Sequence, residues 1–147
     1  MLSFLPGRLR GVIGVVFAVV NTVFWVTPIV PIGVVKLVAP AGVRAVCNRA
    51  LNWLCMSWAN CNVLMMRLML DIEWEVEAPQ DLSMNEWYLV TANHQSWADI
   101  LALQYALNDK VPYFRFFLKK ELKWVPLLNL AWWALDYPYM TRYSKSF

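Results

Sequence analysis

The stretch "NHQSWADI" (93–100) carries the single histidine of the chain, His94, and an acid five positions later, Asp99. A neutral imidazole can take a proton from a hydroxyl when its second ring nitrogen carries its own hydrogen. A carboxylate held against that nitrogen fixes the tautomer and stabilises the imidazolium that forms. Across a turn, side chains five positions apart can meet, so His94 and Asp99 can form a base and its orienting partner. Spacing alone leaves a second reading open, in which His94 is a polar residue at a strand end and Asn93 or Ser96 caps the following helix. Ser96 lies beside His94 but lacks the G-x-S-x-G setting of a hydrolase nucleophile.

Other chemistry is sparse. Cys47, Cys55 and Cys61 are an odd count inside one apolar stretch, matching neither a disulfide framework nor a zinc-ligand spacing, and read as reduced, buried small hydrophobes. No Gly-rich phosphate loop, internal repeat or low-complexity segment occurs, and nothing implies a metal or a tightly bound cofactor.

The elements that must position the His94 block begin with a hydrophobic N-terminal region. The chain has 147 residues, 60% hydrophobic and 16% charged, with nine tryptophans and a net charge of +3. Soluble domains use ~45–50% apolar residues. The basic residues are interleaved with apolar ones, which argues against nucleic acid as a partner and for a membrane surface. Between Arg10 and Lys36 there is no charged residue, and ~20 apolar residues suffice to cross a bilayer core. Pro28 and Pro31 predict a helix from about Arg10 to Thr27 followed by a bend. Positive charge on both flanks (Arg8 and Arg10 before, Lys36, Arg44 and Arg49 after) leaves the positive-inside rule undecided. A bent helix entering and leaving the cytoplasmic leaflet satisfies both flanks and puts both chain ends on the cytoplasmic side.

Residues 41–70 contain no proline and one glycine, Gly42. Arg44, Asn48, Arg49, Asn52, Asn60, Asn62 and Arg67 fall on one half of a helical wheel, and Leu51, Leu54, Trp58, Cys61, Met65, Leu68 and Met69 on the other. That is a basic amphipathic helix suited to the membrane interface. Residues 1–70 are therefore expected to form a helical membrane anchor.

From 71 onward the pattern changes. "DIEWEVEAP" alternates with period two, a half-exposed strand, and "EWYLVTAN" (86–93) is a continuous apolar run, a buried strand. Helical spacing follows over 97–107. "YFRFFLKKEL" offers a third strand, "LKWVPLLNLAWWAL" a helix, and "DYPYM" a fourth strand. Alternating strands and helices predict an α/β domain over 71–147, with His94 just past a strand and Asp99 in the first turn of the next helix.

The whole string "NHQSWADI" resembles the N-H-x-S-x-x-D block of the lysophosphatidic acid acyltransferase family of glycerolipid acyltransferases, with Asn93, His94, Ser96 and Asp99 matching position for position. The similarity runs from roughly Arg8 to the end and looks closest to bacterial members. It implies a membrane-bound enzyme in which His94 is the general base for the attacking hydroxyl and Asp99 orients it. The acyl donor would be acyl-CoA or acyl-carrier protein, and the acceptor a lysophospholipid, foremost 1-acylglycerol 3-phosphate, giving phosphatidic acid. "DYPYMTRYSKSF" looks like the family's second block, in which Arg142 would bind the acceptor phosphate. A guanidinium suits a phosphate bidentately, while an exposed residue near a terminus is the competing reading. The family's third block, F-P-E-G-[TS]-R, and its fourth have no counterpart here, so the chain is expected to be the N-terminal portion of such an enzyme. The resemblance places it at the inner, cytoplasmic membrane in phospholipid biosynthesis. The alternatives are a non-catalytic membrane-anchored interaction protein and a Ser/His hydrolase.

Overall fold

A computed structural model of the chain describes residues 4–93, 95, 96 and 98–141. The elements are α1 (Gly7–Val38), α2 (Ala41–Met69), α3 (Ala98–Leu107), β1 (Leu118–Lys119), a 3₁₀ helix (Lys120–Trp124), α4 (Leu128–Ala134) and β2 (Tyr139–Met140). They fall into two compact units, Met1–Asn21 with Met56–Phe114, and Thr22–Cys55 with Arg115–Phe147. α1 and α2 each contribute a part to either unit.

α1 runs 32 residues without a break, and both Pro28 and Pro31 lie inside it. The bend expected after Thr27 does not end the helix. Each proline removes one backbone donor and leaves a carbonyl one turn back without its usual partner. For Pro28 and Pro31 these are the carbonyls of Phe24 and Thr27; the Thr27 hydroxyl donates to a different one, Val23 O, at 2.7 Å. At 1.5 Å per residue α1 is about 48 Å long, well beyond the ~30 Å hydrocarbon core. It is the one described helix long and apolar enough to cross a membrane.

The return is made by the short link Ala39–Pro40, after which α2 runs antiparallel to α1. In the first unit, an Arg10 guanidinium N–H donates to Met69 O at 3.4 Å, and the Asn21 amide donates to Trp58 O at 3.3 Å and Asn62 Oδ1 at 2.9 Å. In the second, Trp25 and Trp53 meet edge to face with ring centroids 5.9 Å apart. The buried stripe of α2 is Cys47, Leu51, Leu54, Cys55, Ala59 and Val63, spaced mostly by four, and small enough for close approach of backbones. Asn62, expected on the polar half of the wheel, meets Asn21, and Leu68 of the apolar half is exposed. α1 supplies Asn62 with a polar partner that a count of hydrophobic residues ignores. The opposite face of α1 leaves Val12, Val15, Val16, Val19, Val20, Val23 and Phe24 exposed, a contiguous apolar face of the kind that marks a membrane or partner surface.

The expected α/β domain needs correction. Among the described residues the sheet is a single parallel pair, Leu118 with Tyr139 and Lys119 with Met140, joined through the 3₁₀ helix and α4. The strands read at 71–79 and 86–93 are not formed. A strand exists only where a neighbour takes its backbone hydrogen bonds, and periodicity does not reveal whether one is there. The first segment is docked by side chains instead. Trp74 stacks on Tyr105 of α3 at 4.3 Å, and the Arg67 guanidinium lies 5.2 Å from the Tyr105 ring. The second is exposed, Trp87 at 95% and Leu89 at 82%, so "EWYLVTAN" is not the buried strand its composition suggested.

Candidate active site

Asp99 sits in the first turn of α3, where the strand-to-helix reading put it. Its Oδ2 accepts the backbone N–H of Gln95 at 2.6 Å and of Ser96 at 2.8 Å. The Ser96 hydroxyl oxygen accepts the N–H of Ala98 at 3.1 Å, and the Ser96 carbonyl accepts the N–H of Asp99 at 3.2 Å. This is a variant of the capping box, in which the cap residue and the acid three positions on satisfy each other's backbone. The S-x-x-D spacing within "SWAD" is its sequence signature. Of the two candidate caps, Ser96 is the one that caps α3.

The consequence for chemistry is positional. Two short charge-assisted bonds hold the Asp99 carboxylate over the backbone immediately after residue 94. A carboxylate held by two amides in this way has a fixed orientation at the start of α3. His94 itself lies outside the described residues.

α3 is fixed in turn by its far end. Asn108 Nδ2 donates to Asn60 Oδ1 of α2 at 2.7 Å, and Tyr105 is clamped by Trp74 and Arg67. Helix α2 thus sets the rotation of α3 and with it the carboxylate. Sequence reading missed these holding residues because each looks like an ordinary surface side chain.

The second block is placed by β2. Leu118 N–H donates to Pro138 O at 2.9 Å, the Tyr139 hydroxyl donates to Asn129 Oδ1 at 3.0 Å, and Lys123 Nζ stands 4.7 Å from the Tyr139 ring centroid. Arg142 follows β2 by two residues and lies outside the described residues. Asp136, in the left-handed region at φ 58°, pairs with Lys36 just before this strand. Among the described residues no group of three His, Cys, Asp or Glu side chains is placed to hold a metal.

No curated protein and no solved structure matches the chain. A family model does: the Acyltransferase model matches residues 73–146. This span takes in the "NHQSWADI" block, α3 with its capping box, the β1–β2 pair and the second block. It covers just over half of the chain, which therefore belongs to the Acyltransferase family.

Proposed function

We propose that the chain is a membrane-bound acyltransferase that moves a fatty acyl group from acyl-CoA or acyl-carrier protein to the free hydroxyl of a lysophospholipid. Its first acceptor is 1-acylglycerol 3-phosphate and its product phosphatidic acid, in phospholipid biosynthesis. His94 takes the hydroxyl proton, and the oxygen attacks the thioester carbonyl. Asp99 holds the imidazole in the receptive tautomer, and the thiol of the donor departs with the proton. Arg142 takes the acceptor phosphate. The observation that carries this reading is the Asp99 carboxylate, fixed by two amides at the start of α3 inside a span that matches the Acyltransferase family. The exposed apolar face of α1 supports attachment to the inner membrane, with the catalytic part facing the cytoplasm, where thioester donors are found.

The test is an acceptor panel in detergent, with labelled acyl-CoA and acyl-carrier protein as donors. Transfer to 1-acylglycerol 3-phosphate above other lysophospholipids is expected. Thioester hydrolysis without transfer to any acceptor would refute it.

A further inference from the structure

A cavity of about 250 Å³ opens beside the link between α1 and α2. Its lining includes Gly33 and Lys36 of α1, Arg44 and Asn48 of α2, and Trp133 and Asp136. It is shaped by close approach of α4, since a Cβ on Gly33 would lie 2.5 Å from Ala134 Cβ and 3.2 Å from the Trp133 ring.

Its charges do not cancel. Lys36 Nζ donates to Ala134 O at 3.0 Å and pairs with the Asp136 carboxylate, so these two neutralise each other. Arg44 remains. Among the described residues it is engaged only through a 3.4 Å contact with Ala39 O, and the Asn48 amide makes no hydrogen bond. The cavity thus offers one net positive charge, a guanidinium fork and an amide donor. One turn apart on α2, Arg44 and Asn48 share a face. Around this polar spot the chain exposes Val34, Val35, Leu37, Val38 and Val43. A free anion has no use for that rim, whereas an amphiphile does.

We propose that this cavity binds the monoanionic phosphodiester headgroup of a membrane phospholipid. The phosphate sits on Arg44 and Asn48, and the acyl chains lie along Val34, Val38 and Val43. One net charge matches a phosphodiester and leaves a phosphate monoester, with up to two negative charges, incompletely neutralised beside Asp136. Trp133, partly exposed at the opening, has the amphipathic ring suited to headgroup level. The proposal rests on the membrane attachment above and is independent of acyl transfer.

The test uses the full chain in detergent micelles, with bound lipid counted by native mass spectrometry. Dihexanoyl phosphatidylglycerol is the phosphodiester, dihexanoyl phosphatidic acid the monoester, and inorganic phosphate the free anion. Phosphatidylglycerol is expected to bind one per chain, with the other two weaker by roughly tenfold or more. Arg44→Gln is expected to lose roughly tenfold in affinity, the scale of one charge-assisted fork, and Arg44→Lys to recover part of it at unchanged helicity. Asp99→Asn should bind as the unaltered chain does. Equal affinity in Arg44→Gln, or inorganic phosphate binding as well as phosphatidylglycerol, would overturn the proposal. So would loss of binding in Asp99→Asn, because the lipid would then occupy the reaction site. If lipid binds as expected and no acceptor is acylated, the acyltransfer reading alone fails.

Discussion

Replacing His94 with alanine is expected to lower acyl transfer by ~10²–10⁴, the usual worth of a general base. Asp99→Asn should approach ~10⁴, as loss of an orienting carboxylate can, and the geometry makes it a clean substitution. The side-chain oxygen of asparagine can still accept the amides of Gln95 and Ser96, so the start of α3 is kept. What disappears is the negative charge that stabilises the imidazolium. Little change in stability with a large loss of rate is therefore the expected signature. Ser96→Ala should show the opposite one. It removes the acceptor for the Ala98 amide and costs about 0.5–2 kcal/mol of stability, yet retains most activity at equal folded protein. The three variants are compared for transfer to 1-acylglycerol 3-phosphate alongside their unfolding midpoints. Undiminished transfer in His94→Ala would reduce the block to a capped helix start, and inactive but stable Ser96→Ala would point to a serine nucleophile.

The second large effect concerns partition. Nearly all of the chain is expected in the membrane pellet at 1 M salt, where the screening length is ~3 Å, with release only on adding detergent. The exposed valines of α1 are insensitive to screening, unlike a purely basic attachment. Because Arg10 reaches Met69, the chain before α1 and the chain after α2 are expected on one side of the membrane. Single reporter cysteines at residues 4 and 72, in a chain without Cys47, Cys55 and Cys61, should be labelled from the same side of sealed vesicles. Labelling from opposite sides would exclude the hairpin in the membrane, and salt-released protein would exclude the anchor.

Helix α2 was legible in the sequence almost to the residue, expected over 41–70 and found over Ala41–Met69. A long stretch with no proline and a periodic stripe leaves few alternatives. α1 was legible as an apolar helix, but its end was not. Proline weakens a helix locally, and whether the chain continues past it depends on packing against distant residues such as those of α2, which no local pattern reveals. The strands were the least legible part. "DIEWEVEAP" and "EWYLVTAN" have the composition of strands, but pairing depends on distant chain, and Trp74 found a partner in Tyr105 instead. At the site, helical spacing over 97–107 with Ser96 as a candidate cap put Asp99 at a helix start, because capping is purely local. Nothing local announced Arg67, Asn60 or Lys36 as the groups that hold the site elements, since their partners lie far along the chain.

Asn21 carries a consequence for how the chain is made. It sits in the middle of a mainly apolar helix, and among the described residues its amide is satisfied by Trp58 O and Asn62, residues translated roughly forty positions later. Until those residues emerge, α1 alone would carry an unpaired amide into hydrocarbon, where an unsatisfied polar group is costly. α1 and α2 are therefore expected to enter the membrane together, as one preassembled hairpin. Commitment to the bilayer then waits for α2 to leave the ribosome, and Asn21→Leu should let nascent chains arrested before Trp58 insert earlier.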